Sequence, residues 1–298
     1  MLPLEKARIS LDGLSVGDAF GEKFFGHPET VKRLIDERNL PHPTWVFTDD
    51  TAMAMGIVEV LEKFGYIDQN ELALTFARNY RRNPRRGYGG MAHRILQEIL
   101  TGSDWKKITH KVFDDMGSFG NGGAMRVAPL GAFFSDDLER AAEQARLSAE
   151  VTHGHPEGQA GAIAVAVAAA QAFTYAHRKH YPSGWELLET VLKFTPEGET
   201  RKGIIKALDI PFTESIDTAV NILGNGSHVS AQDTVPFCLW CSARHIDDYP
   251  EALWNTVSGL GDRDTTCAIV GGIVSLSAGT KGIPCEWLDS REPLTISA

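Results

Sequence analysis

The chain is predicted to be all-α. Three observations carry that expectation. Apolar residues recur at three- and four-residue spacing along most of the 298 positions, alternation with a period of two is nearly absent, and glycine and proline gather between the periodic segments.

Taken in order, residues 51–64 (TAMAMGIVEVLEKF) show helical spacing and stop at Gly65, a residue suited to a left-handed helix end. Residues 71–82 follow Asn70 as an expected N-cap. Residues 136–151 place Leu138, Ala141, Ala145 and Leu147 on one face with charges opposite. Residues 158–178 are rich in Ala and Val on most faces, the pattern of a helix surrounded by other helices. Further helices are expected over 185–193, 214–223, 234–244, 249–260 and 265–279. Loops are expected at 21–28, 41–43, 84–90, 117–123 and 224–227, and residues 198–215 read as a surface excursion. No fixed-period repeat and no low-complexity linker divides the chain, so a single domain over 1–298 is the expectation.

Hydrophobic content of 43% and charged content of 23% are those of a globular protein with ample core material. The 29 basic against 39 acidic residues give a net charge of −10, and nucleic acid is not an expected partner. One local basic cluster exists, at Arg81, Arg82, Arg85 and Arg86. Residues 1–20 lack a secretory apolar core, and the most apolar run, 160–175, is interrupted by Gln171. A cytoplasmic location without membrane contact is the expectation, with Cys238, Cys241, Cys267 and Cys285 reduced. Cys238-x-x-Cys241 has no second pair to complete a zinc site and reads as two thiols facing a core from one helix.

Two oxygen-rich clusters each precede an amphipathic segment: Thr48-Asp49-Asp50-Thr51 and Asp262-Arg263-Asp264-Thr265. Helix capping is the simpler reading, because Asp and Thr are favoured there and carboxylates suit the helix dipole. A cap needs one oxygen, however, and adjacent carboxylates repel unless positive charge lies between them. Hard oxygen donors suit Mg²⁺, Mn²⁺ or Ca²⁺, and four carboxylates would balance two divalent ions able to activate a water. Sequence separation alone leaves both readings open. The loop Gly120-Asn121-Gly122-Gly123 permits close backbone approach to an anion, although a plain turn is the simpler reading. Arg126 reads as an anion contact or a structural ion-pair partner, and Asp18 as a buried hydrogen-bond acceptor. Tyr88, within Gly87-Tyr88-Gly89-Gly90, lines a substrate loop or packs on the following helix.

In this order the motifs resemble the ADP-ribosylglycohydrolase family: GLSVGDAFG at 13–21, FTDDT at 47–51, GYGG at 87–90, GNGGAMRVAPLG at 120–131, VTH at 151–153 and GDRDT at 261–265. The resemblance implies an orthogonal helical bundle with two divalent cations, Mg²⁺ or Mn²⁺, at its centre. It makes Thr48, Asp49, Asp50, Asp262, Asp264 and Thr265 the expected ligands. Asn121 and the Gly120, Gly122 and Gly123 backbone would follow the diphosphate of ADP-ribose, with His153 approaching from a neighbouring loop and Tyr88 as a further substrate contact. Asp50 or Asp264 is the expected proton acceptor for a water attacking the anomeric carbon. The expected substrate is an ADP-ribosylated protein, arginine-linked favoured, or a small ADP-ribose conjugate. Two positions depart from the family pattern: Phe25 stands where relatives carry a glutamate, with Glu22 nearby, and Arg263 where they carry a small or neutral residue. Phe25 keeps open an inactive ADP-ribose-binding or toxin-neutralising member of the fold.

Overall fold

The computed structural model describes residues 1–177, 183–279 and 282–294. Seventeen helices follow one another among these residues: α1 (Pro3–Glu22), α2 (Pro28–Asp36), α3 (Asp49–Phe64), α4 (Gln69–Arg82), α5 (Gly90–Leu100), α6 (Trp105–Lys111), α7 (Gly122–Met125), α8 (Ala128–Phe133) and α9 (Leu138–Glu150). They continue with α10 (Pro156–His177), α11 (Gly184–Phe194), α12 (Glu199–Asp209), α13 (Ile216–Leu223), α14 (Ala231–Arg244), α15 (Tyr249–Ser258), α16 (Arg263–Ala278) and α17 (Cys285–Ser290). Extended pairing among the described residues is confined to two isolated bridges, Trp45 with Arg291 and Gly120 with Ser230. The fold is all-α.

Local chemistry explains the boundaries. Thr48 caps α3, and Gly65 ends it at φ 74°, where a side chain would be strained. α4 begins earlier than expected: Asp68, not Asn70, is its cap, accepting from the Glu71 N–H at 2.9 Å. Asn70 instead accepts from Trp105 Nε1 at 2.9 Å, tying α4 to α6. Residues 199–209, expected as part of a surface excursion, form α12 with Thr200, Ile204 and Ala207 buried against its neighbours. Three inward positions at four- and three-residue spacing sufficed in an otherwise polar stretch. The helix expected over 158–178 is α10 as far as His177, while Arg178 lies outside the described residues. By length and composition α10 would cross a membrane, but 83% of its most apolar window is buried among other helices.

The central contact is the crossing of α1 over α16. Gly13, Gly17 and Gly21 recur every four residues, so they share one face of α1. An added Cβ would lie 2.4 Å from the Gly271 carbonyl oxygen at Gly13, 2.1 Å from that of Cys267 at Gly17 and 2.2 Å from that of Arg263 at Gly21. The two backbones therefore touch, an approach open only to residues without a side chain.

A second brace comes from the far end of the chain. The Trp45 N–H donates to Ser290 O at 2.7 Å, and the Glu292 N–H donates to Trp45 O at 2.9 Å. The Glu292 carboxylate accepts from the Phe47 N–H at 2.9 Å and from the Arg86 guanidinium, which lies 3.9 Å over the Phe47 ring. This clasp holds the segment that leads into Thr48. It also engages Arg86, one of the four basic residues noted above.

Candidate active site

Asp18 organises the start of α3. Fully buried on α1 one residue after Gly17, it accepts from the Thr48 N–H at 3.0 Å, the Thr51 N–H at 3.0 Å and the Thr48 hydroxyl at 2.9 Å, with the Thr51 hydroxyl as a fourth donor. The expected buried acceptor is thus the support that turns Thr48 and the two following carboxylates inward. Thr48 Oγ1 also lies 2.9 Å from Asp50 Oδ2. One hydroxyl proton cannot serve both carboxylates at once, so the second contact requires a proton on a carboxyl group.

The second cluster arrives on the first turn of α16, placed beside α1 by the glycine face. Asp262 occupies the N-cap position yet makes no side-chain capping bond. Its Oδ2 instead accepts from Asn121 Nδ2 at 2.7 Å, and the same amide donates to Thr234 Oγ1 at 3.1 Å. The capping reading thus holds for Thr48 and fails for Asp262. The two acidic segments converge: Asp50 feels the charges of Asp18, Asp264, Asp49 and Asp262.

Burial and mutual repulsion move these acids together. Burial pushes Asp18 up to about 7. Asp49 also rises to about 7 through burial, with Asp262 adding to it and Arg126 opposing. Asp262 reaches about 7 through burial and the neighbouring Asp264, while Asn121 and Thr265 pull it down. Asp264 rises to about 6, chiefly by burial. Asp50 is raised well above the usual carboxylate range by burial and then by its four acidic neighbours. Crowding acids at this density costs stability unless positive charge joins them.

Divalent cations fit that requirement. Asp50 Oδ1 and Asp264 Oδ1 are buried without a hydrogen-bond partner among the described residues. Every donor from Thr48, Asp49, Asp50, Asp262, Asp264 and Thr265 is a hard oxygen, the set preferred by Mg²⁺ and Mn²⁺. Among the described residues no three acidic, imidazole or thiol side chains are yet placed so that they could hold a metal ion by themselves. The orphaned oxygens and the donor chemistry are what fit the ions.

The glycine loop lies alongside. Asn121 connects it to Asp262, and Gly122 begins α7. The Gly120 N–H donates to Ser118 Oγ at 3.2 Å, and an added Cβ at Gly122 would lie 3.0 Å from His153 Cε1. Gly123 is packed against Ala149. His153 is buried, and burial together with the charge of Arg126 lowers its pKa to about 3, so the ring is neutral. Arg126 is the largest charged side chain fully enclosed in the core, and burial lowers its pKa to about 9. It makes no salt bridge among the described residues, so the ion-pair reading of Arg126 does not describe its contacts. Tyr88 packs edge-on against Tyr80 at 5.1 Å and lies 6.0 Å from the His93 ring on α5. Its hydroxyl has no hydrogen-bond partner among the described residues and feels the charge of Asp49.

The two departures from the family pattern meet each other. The Arg263 guanidinium lies 4.9 Å over the exposed Phe25 ring and donates to Phe24 O at 3.2 Å, bordering a cavity of about 590 Å³ with Lys32 and Asp217. Glu22 ends α1 within electrostatic reach of Asp262, Asp49 and Asp264. Sequence reasoning missed an exposed aromatic group beside the glycine loop: Phe119 lies 6.2 Å from Phe113 and 5.5 Å from His155. It also missed Thr234, whose only signal was its place at an ordinary helix start.

Comparison with known proteins agrees with this architecture. The model of the ADP-ribosylglycohydrolase family matches residues 2–296. The chain is 28% identical to ADP-ribosylhydrolase ARH3 of Mus musculus, over 97% of this chain and 88% of that protein. It is 28% identical to the Homo sapiens ARH3, over 97% and 90% of the two chains. An uncharacterized protein of Archaeoglobus fulgidus is 31% identical, over 96% of this chain and 91% of its own. A solved structure titled ADP-ribosylglycohydrolase-related protein complex superposes with a TM-score of 0.69 at 25% identity, covering 97% of this chain and 93% of that one. The chain belongs to the ADP-ribosylglycohydrolase family and is, with it, a hydrolase of glycosyl bonds.

Proposed function

We propose that this protein removes ADP-ribose from a modified target by divalent-cation-dependent attack of water at the anomeric carbon. The observation that carries the reading is the convergence of Asp50 and Asp264, each with a buried carboxylate oxygen lacking a hydrogen-bond partner among the described residues. Held by Thr48, Asp49, Asp50, Asp262, Asp264 and Thr265, two Mg²⁺ or Mn²⁺ ions would supply Lewis acidity and orient a water.

The chain's own residues supply the rest. Asp18 and the clasp from Glu292 fix Thr48 and Thr51, so the carboxylates are placed before substrate arrives. Asp50 or Asp264 accepts the proton of the attacking water. Asn121 steadies Asp262 from outside the ligand set, a role usually worth about 10–100-fold in metal affinity. The Gly120–Gly123 backbone offers an approach for the diphosphate, and the exposed face of Phe113, Phe119 and His155 suits a stacked purine. Glu22, exposed at the end of α1, adds negative charge near the entrance, which favours the cationic guanidinium of an arginine-linked target.

The test is release of ADP-ribose from arginine-linked, serine-linked, base-linked and acetyl-ester substrates, with EDTA and with Mg²⁺ or Mn²⁺ restored. Asp50→Asn and Asp264→Asn should each abolish release while circular dichroism shows helicity retained. Full activity in either variant, or undiminished activity in EDTA, overturns the proposal.

A further inference from the structure

Beneath the glycine loop runs a hydrogen-bonded chain that the reaction itself does not use. Arg126 Nη2 donates to Ser148 O at 3.0 Å and to Thr152 Oγ1 at 2.8 Å, while its guanidinium lies 4.5 Å over the Phe76 ring. Thr152 Oγ1 in turn lies 2.8 Å from His153 Nδ1. Arg126 and Thr152 are 1% and 3% exposed, so water does not compete for these contacts.

Counting protons sets the direction of this chain. A guanidinium has donors and no acceptor, so Thr152 Oγ1 must accept from Arg126. The threonine then has one proton to place, and among the described residues His153 Nδ1 is the remaining partner of that oxygen. Nδ1 is therefore the acceptor nitrogen and the ring proton sits on Nε2. The opposite tautomer would point two donors at one hydroxyl oxygen and leave the threonine proton stranded in a buried site.

The Nε2 edge has a definite outlook. A Cβ built at Gly120 would lie 3.3 Å from His153 Nε2, and one built at Gly122 would lie 3.2 Å from it. Nε2 makes no hydrogen bond among the described residues. We propose that Arg126 and Thr152 are positioning residues that fix His153 in its Nε2–H tautomer, so that the ring presents a hydrogen-bond donor at the Gly120–Gly122 edge to an anionic diphosphate. The diphosphate rests on the function proposed above, whereas the tautomer does not. A donor at this edge discriminates for oxyanions, and the charge of Arg126 stays two residues removed from the ligand.

Imidazole ¹⁵N NMR on the ligand-free protein reads the tautomer directly, with the His153 signals identified by their loss in His153→Gln. The expected wild-type spectrum shows Nδ1 unprotonated and Nε2 protonated. Thr152→Val removes the hydroxyl at nearly constant shape and should give mixed tautomers. It should also weaken binding of ADP-ribose, and of inorganic pyrophosphate as the minimal probe, by about tenfold. Thr152→Ser should restore both. A wild-type ring protonated on Nδ1 overturns the proposal without recourse to any variant, as does a Thr152→Val protein with unchanged tautomer and affinity. If wild-type His153 shows the Nε2–H form and ADP-ribose still fails to bind, the positioning role stands and the functional reading falls.

Discussion

Replacing Gly17 by alanine adds one methyl group at the tightest point of the α1–α16 crossing. The new Cβ would lie 2.1 Å from the Cys267 carbonyl oxygen and 2.8 Å from its carbon. Carbon–oxygen contacts settle at about 3.3 Å, so the helices must part locally by about 1.2 Å. Both partners are backbone, and neither can swing aside as a flexible side chain would. Overpacking of this kind costs about 1–3 kcal/mol, and each kcal/mol lowers Tm by roughly 2–4 °C in a chain of this order of size. The functional effect should be larger than the stability effect. Asp18 neighbours Gly17 on α1, while Asp262 and Asp264 lie at the start of α16, so the displacement falls between the two acidic clusters. A shift of about 1 Å at a reacting centre costs on the order of 100-fold in rate. Thermal unfolding by circular dichroism paired with steady-state ADP-ribose release measures both. A Gly17→Ala protein with wild-type Tm and wild-type kcat would show that the glycine contact does not set the spacing of the site.

Asn121→Ala removes the amide that bonds Asp262 and Thr234, and should weaken Mg²⁺ or Mn²⁺ binding by about 10–100-fold with helicity unchanged. Calorimetric titration with the ion checks this, and wild-type affinity would rule out the outer support. The acids supply a pH signature. Asp18, Asp49 and Asp262 have folded-state values near 7, above their ordinary values, so the metal-free folded chain holds these protons more tightly than the unfolded one. That contribution to stability is present at low pH and is lost as pH rises from about 4 to about 7. Added Mg²⁺ or Mn²⁺ should therefore raise Tm more above this window than below it. Equal gains at both ends would contradict the crowding.

The helical class was legible because most helices bury a face spaced at three and four residues, as α3, α4 and α9 do. α1 escaped that reading. Its face toward α16 is built from Gly13, Gly17 and Gly21, which carry no apolar signal and act by letting backbones touch. The same property hid the convergence of the acidic clusters, since the glycines that bring them together look like loop residues in one dimension. The clusters themselves were visible as an excess of oxygens over what a helix cap consumes. Their supports were legible only in part: Asp18 reads as a buried acceptor without showing that Thr48 and Thr51 are its donors, and Thr234 reads as a plain helix start. Tyr88 was legible in part: packing on the following helix is one of its two sequence readings and its ring lies beside His93 of α5, whereas its contact with Tyr80 left no sequence signal.

The clasp between residues 45–47 and 290–292 bears on how the protein is made. Glu292 is separated from Phe47 by 245 positions, yet it holds the segment that turns into Thr48. Until the chain has grown as far as Glu292, the first acidic cluster exists without the strut that steadies it. The approach to Thr48 is thereby fixed by residues made long after it, and a change at Glu292 would be felt at the first acidic cluster.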